Sequence, residues 1–423
     1  MPVAKTYEKE FGDSLKGLPG GDALAASRKK SMKDFLSLGG MPHAKAEDWR
    51  YAPISRLRQT HLPRAGKSKA KAPGIKAITG WPLAIVRNGR LTSAPTIKGV
   101  EFASAGDALP KWADGFDVGC IEANPLERLN LALSDGGILV HVEKGIQAQG
   151  LEIVLINDGL DDSARYLRNL IALREGASLP VFIRTISTGK SGWLNMVTNT
   201  QASENASLSL TTDFEAAPEI LVSTIFNGEQ KANSQFDYGT VAAGLASLRH
   251  EIEVRLDGKG ASANLSGGML AARDETLDFV TRIHHQSGGA TSTQTFKGVA
   301  AAEGKTAFQG RIVVEEQAQQ TDARQNCNNL ILDRSGEANV KPELLIFADD
   351  VACAHGATVG EIDETQLFYL MQRGLPAIVA KGLLVKAFLG EVVETFTEDA
   401  LHGHFAGKIN AWMEKNGTVI TDE

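Results

Sequence analysis

The chain is poor in cysteine, poor in aromatic residues and short of positive charge. Only Cys120, Cys327 and Cys353 occur in 423 residues. Three scattered thiols cannot build a disulfide framework, and they fit a reducing compartment. Aromatic side chains make up 6% of the sequence. That is too few for a stacking platform along single-stranded nucleic acid. Lys and Arg number 44 against 51 Asp and Glu, a formal charge of -7 at pH 7. No long basic stripe appears, which excludes a surface that tracks phosphates. Long apolar runs are missing too. The longest, residues 375–393, is broken by Lys381 and Lys386 and reads as a buried helix, not a membrane span. Residues 1–12 are polar and carry no apolar h-region, so no secretory signal is expected. These absences together predict a cytoplasmic protein.

What is present is ordinary in amount and distinctive in order. Hydrophobic residues form 43% of the chain, as in most globular proteins. The length suits two or three domains, or one elongated one. A helix is expected from about residue 23 to 38, with Asp22 as cap and Leu24, Met32, Phe35 and Leu36 near one face. A short helical stretch should follow at 49–58. Residues 62–74 mix Pro63, Gly66, Pro73 and Gly74 with lysines and read as a linker, either solvated or touching a partner. Leu83–Val86, Asn88-Gly89 and Leu91 predict a hairpin with a tight turn. Asn124 followed by Pro125 marks a helix start, and that helix should end near Asp135-Gly136-Gly137, before a strand at 138–142.

From about 138 to 347 the pattern changes. Short alternating runs recur at 151–156, 179–186, 206–210, 219–225, 248–256, 261–265, 277–284 and 311–314, separated by Gly, Asn and Ser. This spacing is that of an all-β domain. It exceeds an immunoglobulin-type sandwich, while a β-helix stacks strands without limit. No strict hexapeptide or nonapeptide repeat decides between them. Helical signals return after 360. Asp363 and Gln366 have capping-box spacing, Gly374 closes that helix and Pro376 opens the next. Thr397 should cap a third, with Leu401, Phe405, Ile409 and Trp412 near one face. The expected divisions are 1–75, 76–360 and 361–423. The helical unit is expected to sit on a β domain that closes its own core.

Several chemical candidates fail on geometry. Gly189-Lys190-Ser191 and Gly304-Lys305-Thr306 look like the ends of phosphate-binding loops, but Arg184 and Val299 stand where the first glycine belongs. His284 and His285 are adjacent on a strand, so their side chains diverge. His402 and His404 are two apart on a helix and are expected at the surface. Cys120 and Cys327 read as structural, with Cys327 in a turn-like segment. Asp349 and Asp350 also diverge, which makes them poor partners for acid–base work in a β-helix carbohydrate-active enzyme. Cys353 and His355 are different. If residues 352–354 are extended, both point to one face. A thiolate with a neutral imidazole suits iron or zinc. Two ligands leave a site incomplete, and a partner or distant segment must add the rest. The competing reading is a buried structural cysteine beside a hydrogen-bonded histidine.

The order of motifs carries a resemblance. Gln320-Thr321-Asp322-Ala323, Asn329-Leu330-Ile331-Leu332 and Lys341-Pro342-Glu343-Leu344 lead into Cys353-Ala354-His355-Gly356. Asp363-Glu364, Leu367-Phe368-Tyr369-Leu370 and Gln372-Arg373-Gly374 follow. Lys45-Ala46-Glu47-Asp48-Trp49-Arg50-Tyr51, Asn124-Pro125-Leu126, Leu129-Asn130 and Asp135-Gly136-Gly137 extend the match toward the N-terminus. Together they resemble the SufB/SufD family of iron–sulfur cluster assembly proteins. The Cys-x-His-Gly form and the lack of Cys-x-x-Cys resemble its SufD branch.

The resemblance implies a right-handed parallel β-helix core with α-helical regions at both ends. It also implies a non-catalytic scaffold subunit of a SufBCD-like complex. By it, the C-terminal end of the core would pair with a SufB-like subunit, with a homodimer as a further option. The C-terminal helices would bind a SufC-like ATPase. Cys353 and His355 would lie near the seam as ligands for transient iron or a nascent cluster. No tightly bound cofactor is expected. The family's complex has been linked to a reduced flavin, but nothing in this chain marks a flavin site. The alternatives are a β-helix carbohydrate-active enzyme and a structural homo-oligomer.

Overall fold

The computed structural model describes residues 2–66, 74–106, 123–396 and 398–416. Its centre is a stack of strands that alternate between two sheets. The first sheet comprises β1 (Leu83–Arg87), β2 (Arg90–Ser93), β5 (Leu151–Asn157), β7 (Ser178–Ser187), β9 (Ser207–Ala216), β11 (Gln235–Ala243), β13 (Ser262–Ala272), β15 (Thr291–Ala301), β17 (Thr321–Ile331) and β19 (Val351–Gly360). Its spatial order is β19-β17-β15-β13-β11-β9-β7-β5-β1-β2. The second comprises β3 (Val100–Ser104), β4 (Ile138–Val142), β6 (Asp161–Leu173), β8 (Ser191–Ala202), β10 (Ile220–Gln230), β12 (Ser247–Leu256), β14 (Thr276–His285), β16 (Lys305–Val314) and β18 (Glu337–Ile346). Its order is β18-β16-β14-β12-β10-β8-β6-β4-β3. From β5 onward each strand runs parallel to the strand two places later, as β14 does with β16. One coil is therefore two strands, and the core is a parallel β-helix of two facing sheets.

Register makes the interior. In-register parallel pairing stacks like residues, so Phe279 aligns with Phe308 and Ile283 with Ile312. Rings run between the sheets: Phe226 stacks on Phe236 at 5.1 Å, and Phe296 meets Phe279 at 6.1 Å and Phe308 at 4.6 Å. The expected hairpin is β1–β2, and its turn is Asn88-Gly89 with φ of 50° and 79°. Both are left-handed, as a two-residue turn of this hand requires.

The alternating runs mark only part of the sheets. Besides β1, β2 and β4, which other signals mark, strands β3, β6, β8, β11, β15, β17, β18 and β19 fall outside them. Strand β6 is buried from Ser163 to Leu173 without a break, and β8 is nearly so. Both faces of these two strands are covered, so polar and apolar residues do not alternate. The helices supply the cover. Helices α1 (Pro2–Ser14), α2 (Gly21–Ser37), α3 (Ser55–Gln59) and α4 (Pro125–Leu133) lie at the N-terminal side of the sequence. The helical stretch expected at 49–58 is a 3-10 turn at Glu47–Trp49 followed by α3. Tyr7, Phe35, Trp49, Leu57 and Leu129 pack on Tyr166, Trp193, Val197 and Leu221 of the second sheet. Helix α4 starts as expected, with Asn124 accepting from the Leu126 and Glu127 amides. Asp22 is not the cap of α2. Gly20, at φ 90°, holds that position, and Asp22 falls in the first turn.

Helices α5 (Glu364–Gln372), α6 (Ala377–Val393) and α7 (Asp399–Lys415) follow β19. Asp363 caps α5 through the Thr365 and Gln366 amides. Thr397, the expected cap of α7, lies outside the described residues. Val385, Leu389, Phe405, Ile409 and Trp412 pack on Phe182, Val241, Leu270 and Val299 of the first sheet. The β domain therefore does not close its core alone, because α6 and α7 cover one of its apolar faces. Gly239 makes room for this, since a Cβ there would lie 2.6 Å from the Phe396 ring.

Candidate functional site

Among the described residues, the β-helix ends without a lid at β18 and β19. Each pairs on one side only, β18 with β16 and β19 with β17. Their other edges present unpaired backbone groups, which suit pairing with another chain. The side chains there are apolar: Leu345, Ile346, Phe347 and Val359 are all exposed, Phe347 at 61%. An exposed apolar group of this kind marks a contact surface.

Cys353 and His355 stand on β19, two residues apart and so on one face. Cys353 is half-buried against Ile312, Val314, Ala318, Ala323 and Ala348, and His355 is exposed. Burial pushes the Cys353 thiol up, a backbone contact with Ala323 pulls it down, and Asp322 adds to the upward push. The thiol thus waits protonated, and a cation would have to displace its proton. Among the described residues no group of three His, Cys, Asp or Glu side chains could hold a metal ion. The pair is therefore two donors on an open edge.

Cys327 lies one strand deeper. It pairs in register with Ala357, while Gln325 pairs with His355. It belongs to strand β17 and not to a turn, because the Asn-rich stretch around it continues the parallel register. It is 1% exposed, and burial pushes its thiol up to about 12, opposed by the Asn329 side-chain amide 3.4 Å away. That thiol is a core group. Cys120 lies outside the described residues.

The other candidates are structural. Lys190 lies in a turn and Lys305 opens β16, with no helix following either. His284 and His285 are both buried, and His285 bonds Ser292 at 2.9 Å. His404 is only partly at the surface. It meets the buried Asp213 at 2.9 Å, beside Lys408, because α7 lies flat on the first sheet. His402 is partly exposed and bonds the Phe396 carbonyl at 2.7 Å. Asp349 and Asp350 are exposed between β18 and β19. Residues 67–73 of the expected basic linker lie outside the described residues.

Sequence reasoning misses a charged ladder beneath the N-terminal motif. Arg249 is fully buried, bonds Asp278 and Glu251, and lies 3.9 Å beneath the Trp49 ring. Arg282 links Glu251 to Asp48, and Arg311 links Asp48 to Glu343 on β18. The alternating charges of Arg249, Glu251, Glu253 and Arg255 are the available signal. They read as a solvated face until Trp49 is seen to cover Arg249, while Arg255 stays partly exposed beside Glu229 and Asp257.

Residues 155–388 match the family model described as the SUF system FeS cluster assembly SufBD core domain. The chain is 26% identical over 389 residues to the iron–sulfur cluster assembly protein SufD of Escherichia coli K12, covering 88% of this chain and 89% of that protein. It is 26% identical over 429 residues to the chloroplastic protein ABCI7 of Arabidopsis thaliana, covering 93% and 87%. A third relative, SufD of Bacillus subtilis, is 27% identical over 281 residues, covering 64% and 63%.

Proposed function

The chain belongs to the SufBD family of the SUF iron–sulfur cluster assembly system, and from that premise we propose that it is a non-catalytic scaffold subunit working with a SufB-like partner and a SufC-like ATPase. The observation that carries this reading is the open end of the β-helix. Two unpaired strand edges, an apolar rim and two soft donors coincide there. A SufB-like β-helix end would continue both sheets and bury Phe347 and Val359. It would also bring the missing ligands to Cys353 and His355. Iron, or a nascent cluster, is the cargo held at that seam. The thiolate would bind it strongly and the imidazole more labilely, which suits transfer.

The ATPase contact falls on α5. Helices α6 and α7 bury their apolar faces on the first sheet. Helix α5 instead exposes Phe368 and Tyr369 at 61% and 57%, and Met371 as well. It is joined to β19 by residues 361–363, so force on α5 reaches the donors through a short connection. No helix among the described residues is long and apolar enough to cross a membrane. A reducing cytoplasm suits the half-buried Cys353 thiol.

The test is co-purification of the tagged chain from its native cell extract, followed by cluster reconstitution. The reading requires a SufB-like subunit and an ATPase in the eluate. Phe347→Glu should release the first and keep the second. Retention of both by Phe347→Glu would refute the assigned seam.

A further inference from the structure

We propose that a cleft at the opposite end of the β-helix binds a small phosphate-bearing anion. Strands β2 and β19 lie at the two ends of the first sheet, so this cleft is remote from Cys353. It is a cavity of about 500 Å³ whose lining includes Arg64, Arg87, Arg90, Arg165, Asn88 and Asp135. Four guanidiniums thus meet in one space. They come from separate elements: Arg64 bridges toward β6, Arg87 ends β1, Arg90 starts β2 and Arg165 lies on β6.

Their charges are not balanced. Arg64 pairs with Asp135 at 2.9 Å and Arg87 with Asp158 at 2.5 Å. Neither Arg90 nor Arg165 has a carboxylate within ion-pair distance among the described residues. Among the described residues two positive charges therefore remain unmatched. Arg165 is only 4% exposed. Its guanidinium donates to the carbonyls of Ala65 and Gly66 at 3.4 and 3.2 Å and to Asn88 Oδ1 at 3.4 Å, two of the three being long. Among the described residues, Nε of both Arg165 and Arg64 has no hydrogen-bond partner. Arg165 feels Asp135 and Asp158 only at longer range, and both already pair with Arg64 and Arg87, so its burial stays costly unless further negative charge is supplied.

The geometry selects the class of anion. A single carboxylate offers two oxygens, and one arginine fork can occupy both. Arginines converging from several directions call for more oxygens and more charge. A phosphate monoester has three free oxygens and carries nearly two negative charges at pH 7. That matches the two unmatched guanidiniums. The volume lies within the range of small-molecule sites and exceeds a lone phosphate, so the ligand carries a further polar body. Asn88 and Thr92 line the same cavity and can bond it.

Titration calorimetry on the full chain at low ionic strength tests this, with inorganic pyrophosphate as probe and citrate as the carboxylate comparison. One saturable pyrophosphate site per chain is expected, with citrate clearly weaker. Arg90→Ala, at an exposed rim position, should weaken pyrophosphate roughly tenfold or more, the effect of losing one charge-assisted contact. Arg165→Gln should do the same if it folds, and Arg90→Ala decides the matter if it does not. Arg324→Ala, at the far end of the sheet, should change nothing. Absent saturation, an undiminished affinity in Arg90→Ala, or equal loss in Arg324→Ala would each overturn the site. Citrate binding as tightly as pyrophosphate would overturn the phosphate class. None of these outcomes depends on the seam at Cys353.

Discussion

At the scale of single residues, His355 and His250 show two opposite uses of imidazole. His355 is exposed on an edge strand, where a substitution costs the fold little. His355→Ala should leave the melting temperature within about two degrees and still impair cluster assembly with the SufB-like partner. A loss of several degrees would support a structural histidine instead. His250 is buried between Thr224 and Tyr238, bonding the Tyr238 hydroxyl at 2.7 Å. Burial holds its pKa down at about 3, and the nearby Glu251 only partly opposes this. Burial and the neighbouring His284 hold His285 at about 4. In the unfolded chain both return to about 6.5. Below that pH the unfolded chain takes up protons that the folded chain refuses, so this contribution to stability is full above about pH 6.5 and falls with acidification. Each group should remove about 2 kcal/mol between about pH 7 and pH 5. Denaturant midpoints across this range test it, and His250→Gln should flatten the slope by about one proton.

At the scale of elements, buried charges fasten the helices to the sheets. Burial alone would push the Asp213 carboxyl up, but Lys408 and His404 outweigh it and hold it well below the carboxylate range. Asp213→Asn leaves Lys408 without its counter-charge beneath α7 and should cost roughly 2–4 kcal/mol. Urea unfolding measures this, and a change under about 0.5 kcal/mol, the size of a neutral surface change, would show that the pair contributes little. Helix α5 makes the contrasting case. Phe368→Glu removes an exposed ring, so the fold should stand while ATPase co-purification is lost. Cutting the chain after Gly360 is a poor substitute for that variant. It would strip α6 and α7 from Val241, Leu270 and Val299 and unmask an apolar sheet.

At the scale of the whole molecule, the β-helix is asymmetric. One face of the second sheet is sealed by the N-terminal helices, and one face of the first by α6 and α7. Among the described residues the last coil is left open. The charged ladder from Arg249 to Glu343 runs along the sealed face out to β18, the strand at that open edge. Trp49→Ala should therefore uncover Arg249 and cost roughly 3–5 kcal/mol, like other large aromatic truncations. Calorimetry would show it as a lowered global melting temperature, not as a separate early transition.

The sequence by itself determined the local pieces whose cause is local. Asn88-Gly89 must turn, Asn124 and Asp363 must cap, and Cys353 and His355 must share a face if their segment is extended. Motif order added the family and, through it, the β-helix. Tertiary structure decided what depends on what lies opposite. Strands β6 and β8 hide from pattern reading because helices cover their second face. His404 and the Arg249 ladder look like surface charge until α7 and Trp49 close over them. Cys327 and Cys353 are alike as thiols, and only the register separates them. One is sealed inside the penultimate coil, while the other stands on the last, where no further described strand excludes water or a partner.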